Sequence, residues 1–269
     1  MNYLTNQSMR SRNPTLMFEA LCSNVVNLRG FLSVKYWWEE LAAIQDSINS
    51  VLRAHGVKEI DKSAITVTDK TVNDLVKEEK ELSNAVVDKV WPSIDQKVVY
   101  HYTSKAAAES ILNSSIFRLY NISKRFTEGE IVTFCNNHGL TGYLKDVNGE
   151  PYYKAQLMRN MYYSSFTDIS LTEDEEEYFW KTFAPVDGVR LKLNVKASNP
   201  NFRKMVYEKT KGQPIPILRD LVQVIRNSHG REFVLSGISR LCAFYLSKDF
   251  DVENEYRILF RDWGDGCLL

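Results

Sequence analysis

The pattern of apolar residues changes at Pro92, and this change constrains the fold more than any other feature of the sequence. Before Pro92, apolar residues recur every three to four positions, for example along residues 35–55, which is typical of a helix with one buried face. After Pro92, apolar and polar residues alternate along 189–195, as in a half-buried strand. Because predicted strands and helices mix there without regular βαβ alternation, the sequence predicts an α+β protein.

The same change divides the chain into two predicted domains. Residues 1–95 are predicted to form a small all-helical domain, and residues 96–269 the α+β domain. The predicted helices of the first domain lie near residues 14–25, 35–55 and 69–91. The predicted strands of the second are 97–102, 131–135, 161–166, 189–195, 217–225 and 256–260.

The charge balance excludes some classes of function. The chain has 34 basic and 34 acidic residues and a formal net charge of +0. It is also near neutral on both sides of residue 95, which argues against a long basic track for nucleic acid and against an acidic tail. The 44% share of hydrophobic residues is typical of a globular protein.

Neither a membrane segment nor a cysteine-based site is predicted. No run approaches the roughly 18–20 apolar residues of a spanning helix, and residues 1–16 do not resemble a signal peptide. Cys22, Cys135, Cys242 and Cys267 are scattered, which argues against a disulfide scaffold or a cysteine-rich zinc site. We therefore expect a cytoplasmic protein with reduced thiols, no metal and no membrane partner.

Three short segments carry residue types that are common in functional sites. The first is Tyr100–Ser104, with a histidine and two hydroxyls at the end of a predicted strand. The second is Tyr162–Thr167, with two serines before a phenylalanine, and an acidic helix that reaches Trp180 follows it. The third is Glu253–Ile258, at the start of the last predicted strand. Taken alone, each segment has an ordinary explanation as a structural histidine, a polar strand or a soluble surface.

The third segment also predicts where its two glutamates lie. Because strand side chains alternate with a period of two, Glu253 and Glu255 are expected on the same face of one strand. Like charges on one face repel each other, so a partly enclosed pair is more often functional than stabilising.

Together the three segments resemble a bacterial family of formerly unknown function, whose fold is related to that of the ADP-ribosyltransferases. Its members open with Y-H-Y-T-S, carry a central S-F-S segment before a tryptophan-bearing helix, and end with E-x-E-x-R. The resemblance covers residues 97–261. Two departures concern the substrate side: the family's N-D-P-x-E segment reads Phe126–Glu130 here, keeping only the final carboxylate, and its W-x-x-Y reads Trp180–Phe183.

The resemblance implies a split antiparallel β-sheet core with flanking helices, and NAD as a cosubstrate. ADP-ribosyl transfer breaks the bond between nicotinamide and ribose through an oxocarbenium-like transition state, as in glycoside hydrolysis. A carboxylate near the ribose can stabilise the developing positive charge. Glu255 matches the family's catalytic glutamate, and Glu253 would orient the acceptor nucleophile.

The resemblance also implies a set of NAD-binding residues. His101 matches the first-strand histidine that would hold the NAD ribose, and Thr103 would add a hydroxyl contact. An aromatic ring of the central segment would stack on nicotinamide, and Tyr163 is a second candidate for that stacking. The complete implied set is His101, Tyr102, Thr103, Tyr163, Ser164, Ser165 and Phe166.

The expected function is therefore NAD-dependent ADP-ribosylation of a macromolecular acceptor, either protein or nucleic acid. The resemblance suggests a bacterial toxin, effector or anti-phage defence component, with residues 1–95 recognising a partner protein or the acceptor. Three alternatives remain open. The same site could hydrolyse NAD with water as acceptor, the fold could be a catalytically idle module that binds nucleotide or protein, or the helices up to residue 95 could act as an adaptor.

Overall fold

The structure is a computed structural model of the 269-residue chain. It describes residues 28–74, 81–124, 128–147, 149–151, 158, 161–196, 201–235 and 237–261. The chain divides into two compact units, residues 1–44 and 45–269. Among the helices of these described residues, none is long and apolar enough to cross a membrane.

Helices and strands both contribute to the described residues. The helices are α1 (Leu28–Ala54), α2 (Glu81–Val90), α3 (Lys105–Ser114), α4 (Glu128–Asn137), α5 (Glu173–Phe183), α6 (Pro216–His229) and α7 (Ile238–Ala243). The first strands are β1 (Ile65–Val67), β2 (Thr71–Asp74), β3 (Gln96–Ser104), β4 (Tyr120–Asn121), β5 (Asp146–Val147), β6 (Glu150–Pro151) and β7 (Met161–Thr167). The later strands are β8 (Gly188–Lys196), β9 (Phe202–Lys204), β10 (Val206–Tyr207), β11 (Glu232–Val234), β12 (Tyr245–Leu246) and β13 (Glu255–Arg261). The predicted α+β class is confirmed.

The main sheet has the strand order β8-β3-β7-β13-β9, with β4 also paired to β7, and all of its pairs are antiparallel. β3 and β8 pair along their whole length, and so do β7 and β13. By contrast, β3 pairs with β7 at one position, Tyr100 opposite Thr167. Two antiparallel ladders therefore meet at this one position and separate beyond it.

Apolar side chains cover both faces of the sheet. On one face Val99, Phe166, Phe202 and Tyr256 form a buried cluster across β3, β7, β9 and β13. Each buried aromatic or aliphatic side chain of this size contributes roughly 1.5–3 kcal/mol. On the other face, Tyr102 packs with Phe179 and Ala184 at α5, a helix that begins with a capping box. These contacts hold β3 and α5 beside the gap between the two ladders.

The prediction that residues 1–95 are all helical is wrong at residues 65–74. These residues form β1 and β2, and β2 pairs in parallel with β11, with Thr71 opposite Glu232. Residues up to 95 are also joined to the rest of the second unit, because the Trp91 indole N–H donates to the Phe244 carbonyl at 2.8 Å. The apolar spacing around Val72 fits a helix as well as a strand, and the β-branched residues at 65–67 and 71–72 decide for the strand.

Two predicted strands are helices in the structure. Residues 131–135 lie within α4, and residues 217–225 lie within α6. Both are short apolar runs, which periodicity alone cannot assign to a buried strand or a buried helix. The predicted strands at 97–102, 161–166, 189–195 and 256–260 are confirmed as β3, β7, β8 and β13.

In the first unit the structure describes the N-terminal part of α1. Trp37 and Trp38 lie there with 42% and 47% of their surface exposed, and their rings contact each other edge to face at 5.0 Å. The helix predicted near residues 14–25 lies outside the described residues. Recognition of a partner protein through this part of the chain stays a prediction.

Candidate functional site

A cavity of about 520 Å³ lies in the gap where β3 and β7 separate. This volume is within the range of roughly 300–1,000 Å³ found for small-molecule sites. The predicted catalytic and NAD-binding residues all line it: His101, Tyr102, Thr103, Tyr163, Ser164, Ser165, Phe166, Glu253 and Glu255. Three segments that are far apart in the sequence therefore meet at one place.

Glu255 is the first residue of β13, and Arg257 holds its carboxylate. Arg257 donates from Nε to Oε1 at 2.7 Å and from Nη2 to Oε2 at 3.1 Å, and from Nη1 to the Ala243 carbonyl at 2.8 Å. Glu255 and Arg257 are only 4% and 5% exposed, so this is a buried ion pair. Burial lowers the pKa of Arg257, but the Glu255 carboxylate outweighs this and raises it above its usual value. The orientation of Glu255 is thus fixed before any ligand enters.

Glu253 does not lie on the strand, so the predicted common strand face with Glu255 is wrong. Glu253 is the last residue of the 3-10 helix Lys248–Glu253, and Asn254 has a left-handed conformation with φ of 38°. Asparagine tolerates this conformation better than most residues. The turn still brings both glutamates to the cavity.

The carboxyl group of Glu253 accepts a hydrogen bond from the Tyr178 hydroxyl at 3.2 Å. Burial raises the pKa of Glu253, and so does the negative charge of Glu255, whereas Tyr178 and Arg257 lower it; together these effects give a pKa of about 7. A carboxyl group with a pKa in this range exchanges protons readily at neutral pH.

Glu130 brings a third carboxyl group to the cavity from α4. Burial raises its pKa to about 7; Arg257 lowers that pKa, and Glu255 and Glu253 raise it. Glu130 thus lines the same cavity as Glu255 and Arg257. In the sequence it is the one carboxylate kept from the family's N-D-P-x-E segment, but that resemblance assigned it no role.

His101 spans the gap between the two ladders. Its Nδ1 lies 2.9 Å from the Ser165 carbonyl oxygen, and its ring packs against Phe117 and Phe166 at 5.0 and 5.7 Å. Because a carbonyl oxygen only accepts, Nδ1 carries the hydrogen in this contact. Tyr100 pairs with Thr167, and Thr167 with Glu255, so the alternation of side chains puts His101 on the opposite face of the sheet from Glu255. Both nevertheless line the cavity.

The hydroxyl residues of the cavity differ in what they contact. Ser164 is 2% exposed, and within the described part of the chain its Oγ has no hydrogen-bond partner. Such a buried hydroxyl costs roughly 1–3 kcal/mol unless a ligand or water satisfies it. Thr103 and Ser165 are partly buried. Ser164 is therefore the hydroxyl that most needs a partner from inside the cavity.

Two aromatic residues assigned to NAD lie mainly in packed clusters. Tyr102 stacks on Phe179 at 5.2 Å, and Phe166 belongs to the buried cluster on the other face of the sheet. Tyr163 instead lies on the same sheet face as Glu255, with the Arg257 guanidinium 5.1 Å from its ring centre. Of the two stacking candidates, Tyr163 has the better position relative to the carboxylates.

Several further lining residues were not predicted. Arg257 lies in the E-x-E-x-R motif itself, so the motif already contained the signal for its role. Tyr120, Phe183 and Phe250 line the cavity and are 43%, 37% and 37% exposed, which puts aromatic rings at its opening. Tyr120 and Phe250 lie in sequence surroundings without a motif, whereas Phe183 stands where the family's W-x-x-Y segment has its tyrosine.

No match was found when the chain was compared with models of protein families, with curated proteins and with solved structures. Among the described residues, no group of three or more His, Cys, Asp or Glu side chains is arranged to hold a metal ion. Membership of the family that the three segments resemble thus stays a prediction, which rests on those segments.

Proposed function

We propose that the protein is an NAD-dependent ADP-ribosyltransferase that modifies a macromolecular acceptor. One observation carries the proposal: the three segments that suggested this chemistry line a single cavity at the separation of two antiparallel ladders. Such a divided antiparallel sheet is also what the resemblance to ADP-ribosyltransferases implies. The bacterial toxin, effector or defence setting, the cytoplasmic location and the family itself belong to the same proposal.

Glu255 would act on the ribose of NAD. When the nicotinamide–ribose bond breaks, positive charge develops on the ribose, and a carboxylate with a fixed orientation stabilises that charge without reorganising. The two hydrogen bonds from Arg257 supply this orientation. Removing one such preorganised group typically costs roughly 10²–10³-fold in rate.

The charges of the cavity suit the nicotinamide half of NAD. Three carboxyl groups line it, and among the described lining residues Arg257 is the only lysine or arginine. A cationic nicotinamide ring and a developing oxocarbenium ion both favour this surplus of acidic groups. The lining also includes Ser104 and Ala107 at the start of α3, where backbone N–H groups favour anions such as the phosphates of NAD.

The test is to incubate the protein with ADP-ribose-labelled NAD and a bacterial lysate, and then to treat portions with protease or nuclease. Label that protease or nuclease releases supports transfer to protein or nucleic acid, respectively. Free ADP-ribose alone would indicate NAD hydrolysis. If NAD is not consumed and does not raise the melting temperature at concentrations far above a plausible dissociation constant, the proposal fails.

Variants connect this assay to the site. Glu255→Gln should lower nicotinamide release by roughly 10²–10³-fold, and Glu109→Gln, an exposed residue of α3 outside the cavity, should leave it unchanged. Because Glu255→Gln also breaks a buried ion pair, its folding must be measured in parallel. Glu253→Gln removes a cavity carboxylate without breaking that pair and serves as a second test.

A further inference from the structure

The three carboxyl groups of the cavity share one buried cation. Glu255 takes two hydrogen bonds from Arg257, so the charge of that arginine is already matched. Glu130 and Glu253 add further negative charge to the cavity. Among the described lining residues there is no second lysine or arginine that could neutralise either of them. A site with this surplus favours proton uptake by one of the two remaining carboxyl groups at neutral pH.

These carboxyl groups differ in the hydrogen bonds and ion pairs that they already form. Glu255 is fixed by Arg257, and Glu253 accepts a hydrogen bond from Tyr178. The charge of the Glu130 carboxyl group is affected by burial and by the charges of Arg257, Glu255 and Glu253, but no hydrogen bond or ion pair joins it to a described residue. Its oxygens therefore remain able to accept a proton from a ligand in the cavity.

A rigid helix presents Glu130 to the cavity. Ile131, Phe134 and Cys135 of α4 are 4%, 0% and 0% exposed, so this helix is anchored in the core directly behind Glu130. A catalytic group on a packed helix keeps its position better than one on a loop. The position of Glu130 at the cavity is thus part of the fold.

We propose that Glu130 is the catalytic base that takes the proton from the acceptor nucleophile. This inference rests on the proposed function and adds a role that the sequence did not assign. In the reaction, the bond between the ribose C1′ and the nicotinamide nitrogen breaks, and its electron pair leaves with nicotinamide. The acceptor X–H forms the new C1′–X bond, and its proton passes to the Glu130 carboxylate, which later releases it to solvent.

The electrostatic surroundings of Glu130 suit this role. A general base works best when its pKa is near the working pH, and burial raises that of Glu130 to about 7. The charged groups that act on it are Arg257, which lowers its pKa, and Glu255 and Glu253, which raise it. The base is active when it has lost its proton, so the rate should rise with pH through this range.

A purely structural role is the competing explanation. Glu130 could serve only as an additional negative charge near Arg257, in which case its removal would change stability without changing the pH dependence of the reaction. A pH profile separates the two roles, since only a base in the reaction gives the rate its pH dependence.

The experiment measures nicotinamide release from labelled NAD between about pH 5 and 9, with a fixed amount of bacterial lysate as the acceptor source. Nicotinamide release reports transfer to any acceptor, including water. The variants are Glu130→Gln, Glu130→Asp and Glu253→Gln, with Glu109→Gln as the control for an exposed glutamate. Binding of NAD is followed separately by the shift in melting temperature.

For Glu130→Gln we expect kcat to fall by roughly 10²–10⁴-fold, the usual contribution of a general base. We expect KM for NAD and the NAD-dependent shift in melting temperature to stay near wild-type values, and the rise of rate near pH 7 to disappear. Glu130→Asp should keep a rise with pH at a reduced rate, because it keeps a carboxylate.

Two results would overturn the inference and leave the proposed function standing. One is a Glu130→Gln protein with the rate and pH profile of Glu109→Gln. The other is a pH-dependent rise that persists in Glu130→Gln and disappears in Glu253→Gln, which would make Glu253 the base. If the wild-type protein releases no nicotinamide, both the proposed function and this inference are wrong.

Discussion

The buried pair of Glu255 and Arg257 makes a quantitative prediction about stability. Glu255→Gln keeps the size of the side chain but removes its charge and offers one acceptor oxygen where the carboxylate offered two. Arg257 would retain its hydrogen bond to the Ala243 carbonyl, but it would lose the carboxylate that its guanidinium binds directly. The substitution should therefore destabilise the fold as well as slow the reaction.

The expected loss is about 3–5 kcal/mol, the usual cost of removing one partner of a buried ion pair. Because glutamine keeps one acceptor oxygen, the substitution removes one of the two hydrogen bonds at 2.7 and 3.1 Å, which accounts for about 1.5–3 kcal/mol of this loss. For a unit of this size, 1 kcal/mol shifts the melting temperature by about 2–4 °C. Glu255→Gln should thus lower the melting temperature by roughly 6–20 °C.

The assay is urea unfolding, with the melting temperature measured in parallel, for Glu255→Gln, Arg257→Met and the double variant. The double variant removes both charges, so it should be less destabilised than the sum of the single variants by about 1–3 kcal/mol. Glu177→Gln is the matched control: Glu177 forms an exposed pair with Lys181, and the loss of such a pair should leave the stability close to that of wild type. If the double variant regains stability but not nicotinamide release, the loss of activity is due to the missing carboxylate and not to unfolding.

Two results would refute this reasoning. The first is a Glu255→Gln protein whose melting temperature matches that of Glu177→Gln. The second is strict additivity of the two single variants, which would mean that the two side chains do not depend on each other in the folded protein.

Three further predictions concern neighbouring residues. His101→Phe should keep the aromatic packing and lose the hydrogen bond to Ser165, so we expect a higher KM for NAD with a melting temperature within a few degrees of wild type; an unchanged KM would contradict the assigned ribose contact. Ser164→Ala removes a buried unpaired hydroxyl, so without ligand it should raise the free energy of unfolding, by up to about 1–3 kcal/mol, while weakening NAD binding; destabilisation would show that the hydroxyl has a partner. Burial raises the pKa of Asp168, but hydrogen bonds from Lys97 and Tyr256 outweigh this and hold it below its usual value. The stabilisation that goes with this lowered pKa is present above the unfolded pKa of about 4 and is lost as the pH falls through the lower folded pKa. In urea unfolding, the difference in free energy of unfolding between wild type and Asp168→Asn should therefore shrink on acidification.

The sequence predicts four strands of the main sheet, β3, β7, β8 and β13, but it assigns residues of α4 and α6 to strands. Residues 189–195 alternate clearly, and they form β8 as expected. Residues 217–225 are predicted as a strand, although Leu218, Leu221, Val222 and Ile225 are buried at helical spacing and Pro216 stands at the first helical position. The helical signal is thus present in the sequence, but the β-branched residues of the run hide it.

For the site, the sequence supplies the residues but not their geometry. The turn at Asn254 moves Glu253 off the strand, and a period of two cannot indicate a left-handed residue. The pairing of Arg257 with Glu255 follows from the strand period, but its burial depends on elements far away in sequence, such as Ala243. Glu130 comes to the cavity from a helix where the sequence predicts a strand.

The separation of β3 from β7 has a consequence for how the cavity can be altered. β4 pairs with one edge of β7 at Tyr162 and Tyr163, and β3 pairs with the same edge at Thr167. Among the described residues, the stretch of β7 between these positions has no strand partner on that edge. All residues of this stretch line the cavity, and His101 already uses one of its carbonyl groups. Part of the cavity wall is therefore main chain, whose hydrogen-bonding groups are unchanged by any substitution other than proline. Alanine scanning would underestimate how much this wall contributes to binding, whereas Ser165→Pro, which removes a main-chain N–H, would reveal it.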